Sequence, residues 1–146
     1  MQKLISLALM AGLTSTTLLG IAQQTTPRLQ NVPMQQTPIG SGQQMYVKYC
    51  AVCHGTEGVG NGPAAQALKA RPADLATLSQ TNGGVFPSNH VISVLQFGVK
   101  NPAHGSSEMP VWGDLMMTLN PTSQNASAQV NQRIMNLTNY LKTMQK

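Results

Sequence analysis

The sequence predicts a small all-α fold of about four short helices. Three runs carry that reading. Met45, Tyr46, Tyr49 and Cys50 recur at helical spacing. Val91, Val94, Leu95 and Phe97 make an apolar face that Gly98 brings to a stop. Val130, Ile134, Leu137 and Leu141 fall at i, i+4, i+7 and i+11, an amphipathic stripe.

In chain order, residues 1–22 read as a secretory signal peptide. Lys3 supplies the positive start, 4–13 the apolar run, and Gly20-Ile21-Ala22 a small-x-small cleavage site. Cleavage after Ala22 starts the mature chain near Gln23. Residues 4–22 approach membrane-spanning length, but Ser6, Thr14, Ser15, Thr16 and Thr17 dilute them. Membrane association is therefore expected only if the leader stays uncleaved. Residues 23–40 are rich in Gln, Thr and Pro, show no hydrophobic period, and read as a flexible or semi-extended linker.

The domain proper is expected at 41–146. Ser41 is the expected N-cap of a helix over 42–52. Gly55, Gly58, Gly60 and Gly62 make a close-packed backbone loop. Pro63 opens a short helix over 64–70, which Arg71-Pro72 breaks. A turn follows at 81–84. Ser88 or Asn89 caps a helix over 90–97. Residues 101–114 read as a loop, with Pro102, Gly105, Pro110 and Gly113. Ser127 is the expected cap of a last helix over 128–144.

Composition sets bounds on partners. Nine Lys and Arg against four Asp and Glu leave a net charge of +5, spread without a basic run. That pattern argues against nucleic-acid binding. Two Phe, three Tyr and one Trp are few large side chains for a domain of this size. A buried prosthetic group would fill such a thin core.

The chemistry concentrates in Cys50-Ala51-Val52-Cys53-His54, the C-x-x-C-H pattern of c-type haem attachment. Two thiols three residues apart on a helix share a face and can form thioethers to the two vinyl groups of one haem. His54 follows Cys50 by four, so its imidazole can reach the iron beneath the same ring. A thioredoxin-like redox pair would need a βαβ setting, which the pattern lacks. A zinc site fares no better. The chain has only two cysteines, and His90 and His104 stand outside finger spacing. One motif implies one haem c and one iron.

The second axial ligand is less constrained. Met109 precedes Pro110 in a polar stretch, unusual for a core methionine, and its thioether suits iron(II). Met116, Met117 and His104 are alternatives nearby, with His104 giving bis-His ligation. His90 reads as a surface residue at a helix start.

Residues 41–146 resemble class I (mono-haem) cytochromes c. The carriers are Cys50-Ala51-Val52-Cys53-His54-Gly55, Met109-Pro110-Val111-Trp112-Gly113 and the closing helix with Tyr140-Leu141. Gly60-Asn61-Gly62-Pro63 with Arg71-Pro72-Ala73-Asp74-Leu75 looks like a bacterial subgroup. The resemblance implies helices wrapped around one covalent haem, and first and last helices crossing through Gly42, Tyr46, Leu137, Tyr140 and Leu141. It implies Met109 as the axial partner of His54. It also implies a proline carbonyl accepting from His54 Nδ1, best matched by Pro63 and next by Pro72. Arg71 and Trp112 are further candidates, for a haem propionate.

The expected function is a periplasmic electron carrier and not an enzyme, exchanging electrons with redox protein partners. Lys48, Lys69, Arg71 and Lys100 are candidates for steering an acidic partner. Two alternatives share the site. One is a haem subunit docked on a larger respiratory oxidoreductase or dehydrogenase. The other is a small-ligand-binding haem module. Nothing in the sequence sets an oligomeric state.

Overall fold

The computed structural model describes residues 33–99 and 108–146, where every regular element is helical and no strand is present. The predicted leader, residues 23–32 of the predicted linker, and Lys100 and His104 lie outside the described residues.

Helix α1 covers residues 42–54. It is α-helical over Gly42–Met45, π-helical over Tyr46–Cys50, and α-helical again over Ala51–His54. Ser41 starts it as the sequence predicts, its Oγ accepting from the Gln44 amide at 3.2 Å. In the π turn the Ala51 amide reaches the Tyr46 carbonyl, one residue further back than an α-helix allows.

The predicted end at 52 falls short, because the glycine loop keeps the last turn going. A helix leaves its final carbonyls unpaired. Here Ala64 donates to Val52 O at 2.9 Å, Gly62 to Cys53 O at 3.1 Å, and Gly60 to His54 O at 2.8 Å. The loop thus lies back along the end of α1. A Cβ on Gly62 would sit 2.5 Å from Val52 O and 2.6 Å from Ala51 O, so no other residue fits.

The predicted helix at 64–70 shrinks to a single 3₁₀ turn, Ala65–Ala67. Leu68 is already extended (φ −86°, ψ 147°), as is Asp74 (φ −74°, ψ 105°), with no regular element between them. A 3₁₀ turn at Leu75–Thr77 then leads into α2, Leu78–Thr81. The sequence pattern gives no helix there. Asp74 starts it locally, Oδ1 accepting from the Ala76 amide at 2.8 Å.

Helix α3 covers Ser88–Phe97, buries Val91 and Leu95, and ends at Gly98 with φ 75°. It begins two residues earlier than predicted, behind Pro87 rather than a side-chain cap. Helix α4 covers Trp112–Met117. The end of the predicted 101–114 loop is therefore helical, since Trp112 and Met116 are four apart and both buried. Helix α5 covers Ala126–Thr143, with Asn125 at its start and Ser127 inside it rather than capping it.

Helix α5 is the spine of the fold, packing on α1, α3 and α4. All four residues of its predicted stripe are buried. It crosses α1 at Gly42, where an added Cβ would run into the Asn136 carbonyl and come within 2.7 Å of Tyr140 Cβ. Tyr46 lies one turn further on, its ring centroid 5.5 Å from that of Tyr140. Among the described residues no helix is long and apolar enough to cross a membrane.

Residues 33–40 depart from the expected linker. They form a strap bound to the domain. Asn136 Nδ2 donates to Ile39 O at 2.9 Å, and Gln36 Nε2 to Leu119 O at 3.1 Å. Buried Arg133 donates through Nη1 to Thr37 O at 2.8 Å and to Thr37 Oγ1 at 3.1 Å. Tyr49 Oη spends its one proton on Gln35 O at 2.5 Å, so the Thr37 hydroxyl, 3.0 Å away, donates to Tyr49. Polar Gln and Thr side chains carry no hydrophobic period, which hides this binding from a pattern search.

Candidate haem-binding site

Cys50, Cys53 and His54 all stand on α1, upstream of the glycine loop. Both cysteines are free thiols, Cys50 buried and Cys53 half-buried. Burial pushes the Cys50 thiol up to about 12, with Cys53 beside it adding to the shift. Cys50 therefore stays protonated across the neutral range.

His54 is buried, and its Nδ1 lies 2.9 Å from the carbonyl oxygen of Ala73. A carbonyl only accepts, so Nδ1 carries the proton and Nε2 keeps its lone pair. Burial lowers the His54 pKa below the usual histidine value, and the Ala73 bond offsets part of that. The result is a neutral, oriented imidazole with one nitrogen free to bind metal.

The partner carbonyl is thus Ala73, neither Pro63 nor Pro72 as the resemblance implies. Pro63 is exposed in the loop along the end of α1. The carbonyl of Pro72 is directed elsewhere. Pro72 O turns toward Gly60, where a Cβ would collide with it, and Ala73 O turns toward His54. Sequence reasoning missed Ala73 because the bond uses only its backbone; its place after Pro72 was the one available signal.

Met109 is half-buried and packs on the core cluster that contains Cys50, Ala51, Tyr49 and Trp112. The fold thus joins Met109 to the body that carries the haem motif. Of the alternatives, Met116 is a core side chain and Met117 is exposed. His90 is exposed in the first turn of α3.

Trp112 is buried with its ring stacked on Tyr49, centroids 5.7 Å apart. Arg71 is exposed and donates through Nη2 to Val59 O at 3.1 Å. The structure does not bring these two candidates into a shared cluster. Pro33, Met34, Lys48, Tyr49, Trp112 and Leu115 line an open groove of about 470 Å³, but none of Cys50, Cys53, His54 or Met109 does.

No family model, no curated protein and no solved structure matches this chain.

The residues present fit a covalent haem. Two unpaired thiols are available for thioethers, a neutral imidazole has its Nε2 uncommitted, and a thioether side chain packs on the same core. They fit a protein-only metal cage poorly. Among the described residues no three His, Cys, Asp or Glu side chains group as ligands.

Proposed function

We propose that this chain is an exported, periplasmic electron-transfer protein that carries one haem c, bound covalently through Cys50 and Cys53. His54, through Nε2, and Met109, through its sulfur, would hold its iron. The resemblance to class I cytochromes c supports the same reading. The observation that carries it is the orientation of His54, whose Nδ1 is held by Ala73 so that Nε2 is the free nitrogen.

Bound there, the iron supplies a reversible one-electron change. The chain's own residues would serve as ligands in both oxidation states. Neutral His54 and the Met109 thioether need no proton change between states, and Met/His ligation raises the potential. The glycine loop bonds to the end of α1 and α5 packs on it, contacts that would limit reorganisation around the site. Exposed Lys48, Lys69 and Arg71 steer an acidic redox partner toward a small, transient contact. The protein is a carrier and performs no chemistry on a bound substrate.

The test is the visible spectrum of the exported, matured protein beside a Met109→Ala variant. A low-spin haem is expected, with the weak long-wavelength band of sulfur-bound ferric iron in the wild type and its loss in the variant. A band that survives in the variant would remove Met109 as ligand. A chain without covalent haem would overturn the reading at Cys50 and Cys53.

A further inference from the structure

Met109 is held differently on its two sides. Downstream, the chain is fixed by packing. A Cβ on Gly98 would lie 3.0 Å from Val111 Cγ2, Trp112 is buried on Tyr49, and a Cβ on Gly113 would lie 2.6 Å from Gln96 O. These contacts pack the stretch after Met109 closely on α3 and α1. Upstream, Glu108 reaches across the molecule. Its Oε2 accepts from the backbone amide of Lys69 at 3.0 Å, joining positions 39 residues apart.

The donor belongs to a well-anchored stretch. Residues 60, 62 and 64 are bonded to the end of α1, and the 3₁₀ turn Ala65–Ala67 follows directly, with Leu68 donating to Ala65 O at 3.3 Å. The Glu108 carboxylate thus links the segment of Met109 to the segment that follows His54. We propose that Glu108 is a positioning residue for Met109, a latch that keeps its thioether placed to ligate the iron. This inference rests on the axial assignment proposed above.

The need for a latch follows from the ligand. Methionine has three rotatable bonds and fixes its own sulfur poorly, so the backbone must place it. A hydrogen bond to an ionised acceptor is stronger than a neutral one, but this pair is exposed and water competes for it. A modest effect is expected. Without the latch, the fraction of molecules with Met109 off the iron rises, and an external ligand of ferric haem binds in proportion to that fraction.

The experiment is imidazole titration of the ferric holoprotein, with the sulfur-dependent band recorded in each variant. Glu108→Ala is expected to tighten apparent imidazole binding roughly five-fold, as loss of a typical net hydrogen bond would. Glu108→Gln keeps an acceptor oxygen and should stay near wild type. Lys69→Pro removes the donor amide, and Leu68 already has the extended conformation that a residue before proline requires. It should tighten imidazole binding in the same direction as Glu108→Ala. Lys69→Ala keeps the amide and should bind imidazole as the wild type does, although it removes one of the charges that steer the partner. A wild-type band with unchanged imidazole binding in Glu108→Ala overturns the latch alone. So does a Glu108→Ala effect that Lys69→Pro fails to reproduce. Absence of a Met109-dependent band in the wild type overturns the axial assignment, and the latch with it.

Discussion

The hydroxyl of Tyr46 donates a 2.6 Å hydrogen bond to the carbonyl of Gly55, the residue after His54. The bond closes the far end of α1 onto its own π turn, inside the contact with α5. It anchors the first residue of the glycine loop, and so the start of the segment that returns to His54 through Ala73.

Tyr46 has no exposed surface, and burial pushes its phenol up to about 12 from 10.0, with Cys50, Tyr140 and Glu57 adding to the shift. The unfolded chain ionises this group near pH 10 while the folded chain keeps it neutral. Its contribution to stability is therefore fully present below pH 10 and is lost as the pH rises from 10 to about 12. The loss is about 2–3 kcal/mol at most. Denaturant melts across this range should show the decline. Tyr46→Phe should start about 1 kcal/mol less stable, with Gly55 O keeping only its 3.2 Å bond from the Gly58 amide, and should show a shallower decline.

At the helix crossing, the absent side chain of Gly42 is what brings α1 against α5. A methyl group there meets the Asn136 carbonyl and Tyr140 Cβ, and backbone of a packed helix cannot step aside. Alanine is the better helix former, by about 0.5–1 kcal/mol in an exposed helix. Overpacking reverses that preference. Gly42→Ala should lower stability by about 1–3 kcal/mol, read from the denaturant midpoint. Gln43→Ala, on the exposed side, should change little.

Much of this was legible before the structure. The crossing follows from the family resemblance, while the stripe on α5, the Ser41 cap and the Gly98 stop follow from side-chain spacing and from residues with one conformational use. The rest is backbone chemistry. Ala73 reaches His54 through a carbonyl, and the glycine loop continues α1 through amides; neither leaves a mark in residue types. Pro63 and Pro72 drew attention as prolines, while the direction of the 71–74 carbonyls selected their neighbour. The strap at 33–40 was read as a linker because its contacts are polar and its partners lie about a hundred residues away, as Thr37 and Arg133 do.

Arg133 holds that strap from inside the protein. It is 3% exposed, and its Nη1 is shared between two oxygens of Thr37. Nη1 has an N–H group for each oxygen, and a guanidinium is less strongly hydrated than an ammonium group, so it is buried at lower cost. Arg133→Ala removes both bonds and leaves a buried carbonyl without its donor, at a cost of about 2–4 kcal/mol. Arg133→Lys should recover only part of this. In both variants a broad-specificity protease should cut within residues 33–40 faster than in the wild type. Equal cutting rates would mean that Asn136, Gln36 and Tyr49 hold the strap without Arg133.

Thr138 stands on α5 between the core residues Leu137 and Leu141, 3% exposed, and among the described residues its Oγ1 is the buried side-chain oxygen or nitrogen without a hydrogen-bond partner. Burying a hydroxyl unpaired costs more than burying a methyl group of the same size. Valine matches threonine in shape and in its β-branch, so it exchanges that hydroxyl for a methyl group and leaves packing and helix preference nearly unchanged. Thr138→Val should therefore raise stability by about 1 kcal/mol, seen as a higher Tm at unchanged denaturant slope. Thr138→Ala removes the same hydroxyl and also empties the space of the γ-methyl, so it should gain less or lose. If both variants are less stable than the wild type, and valine is no better than alanine, the hydroxyl is satisfied in the native protein and the packing argument at this position fails.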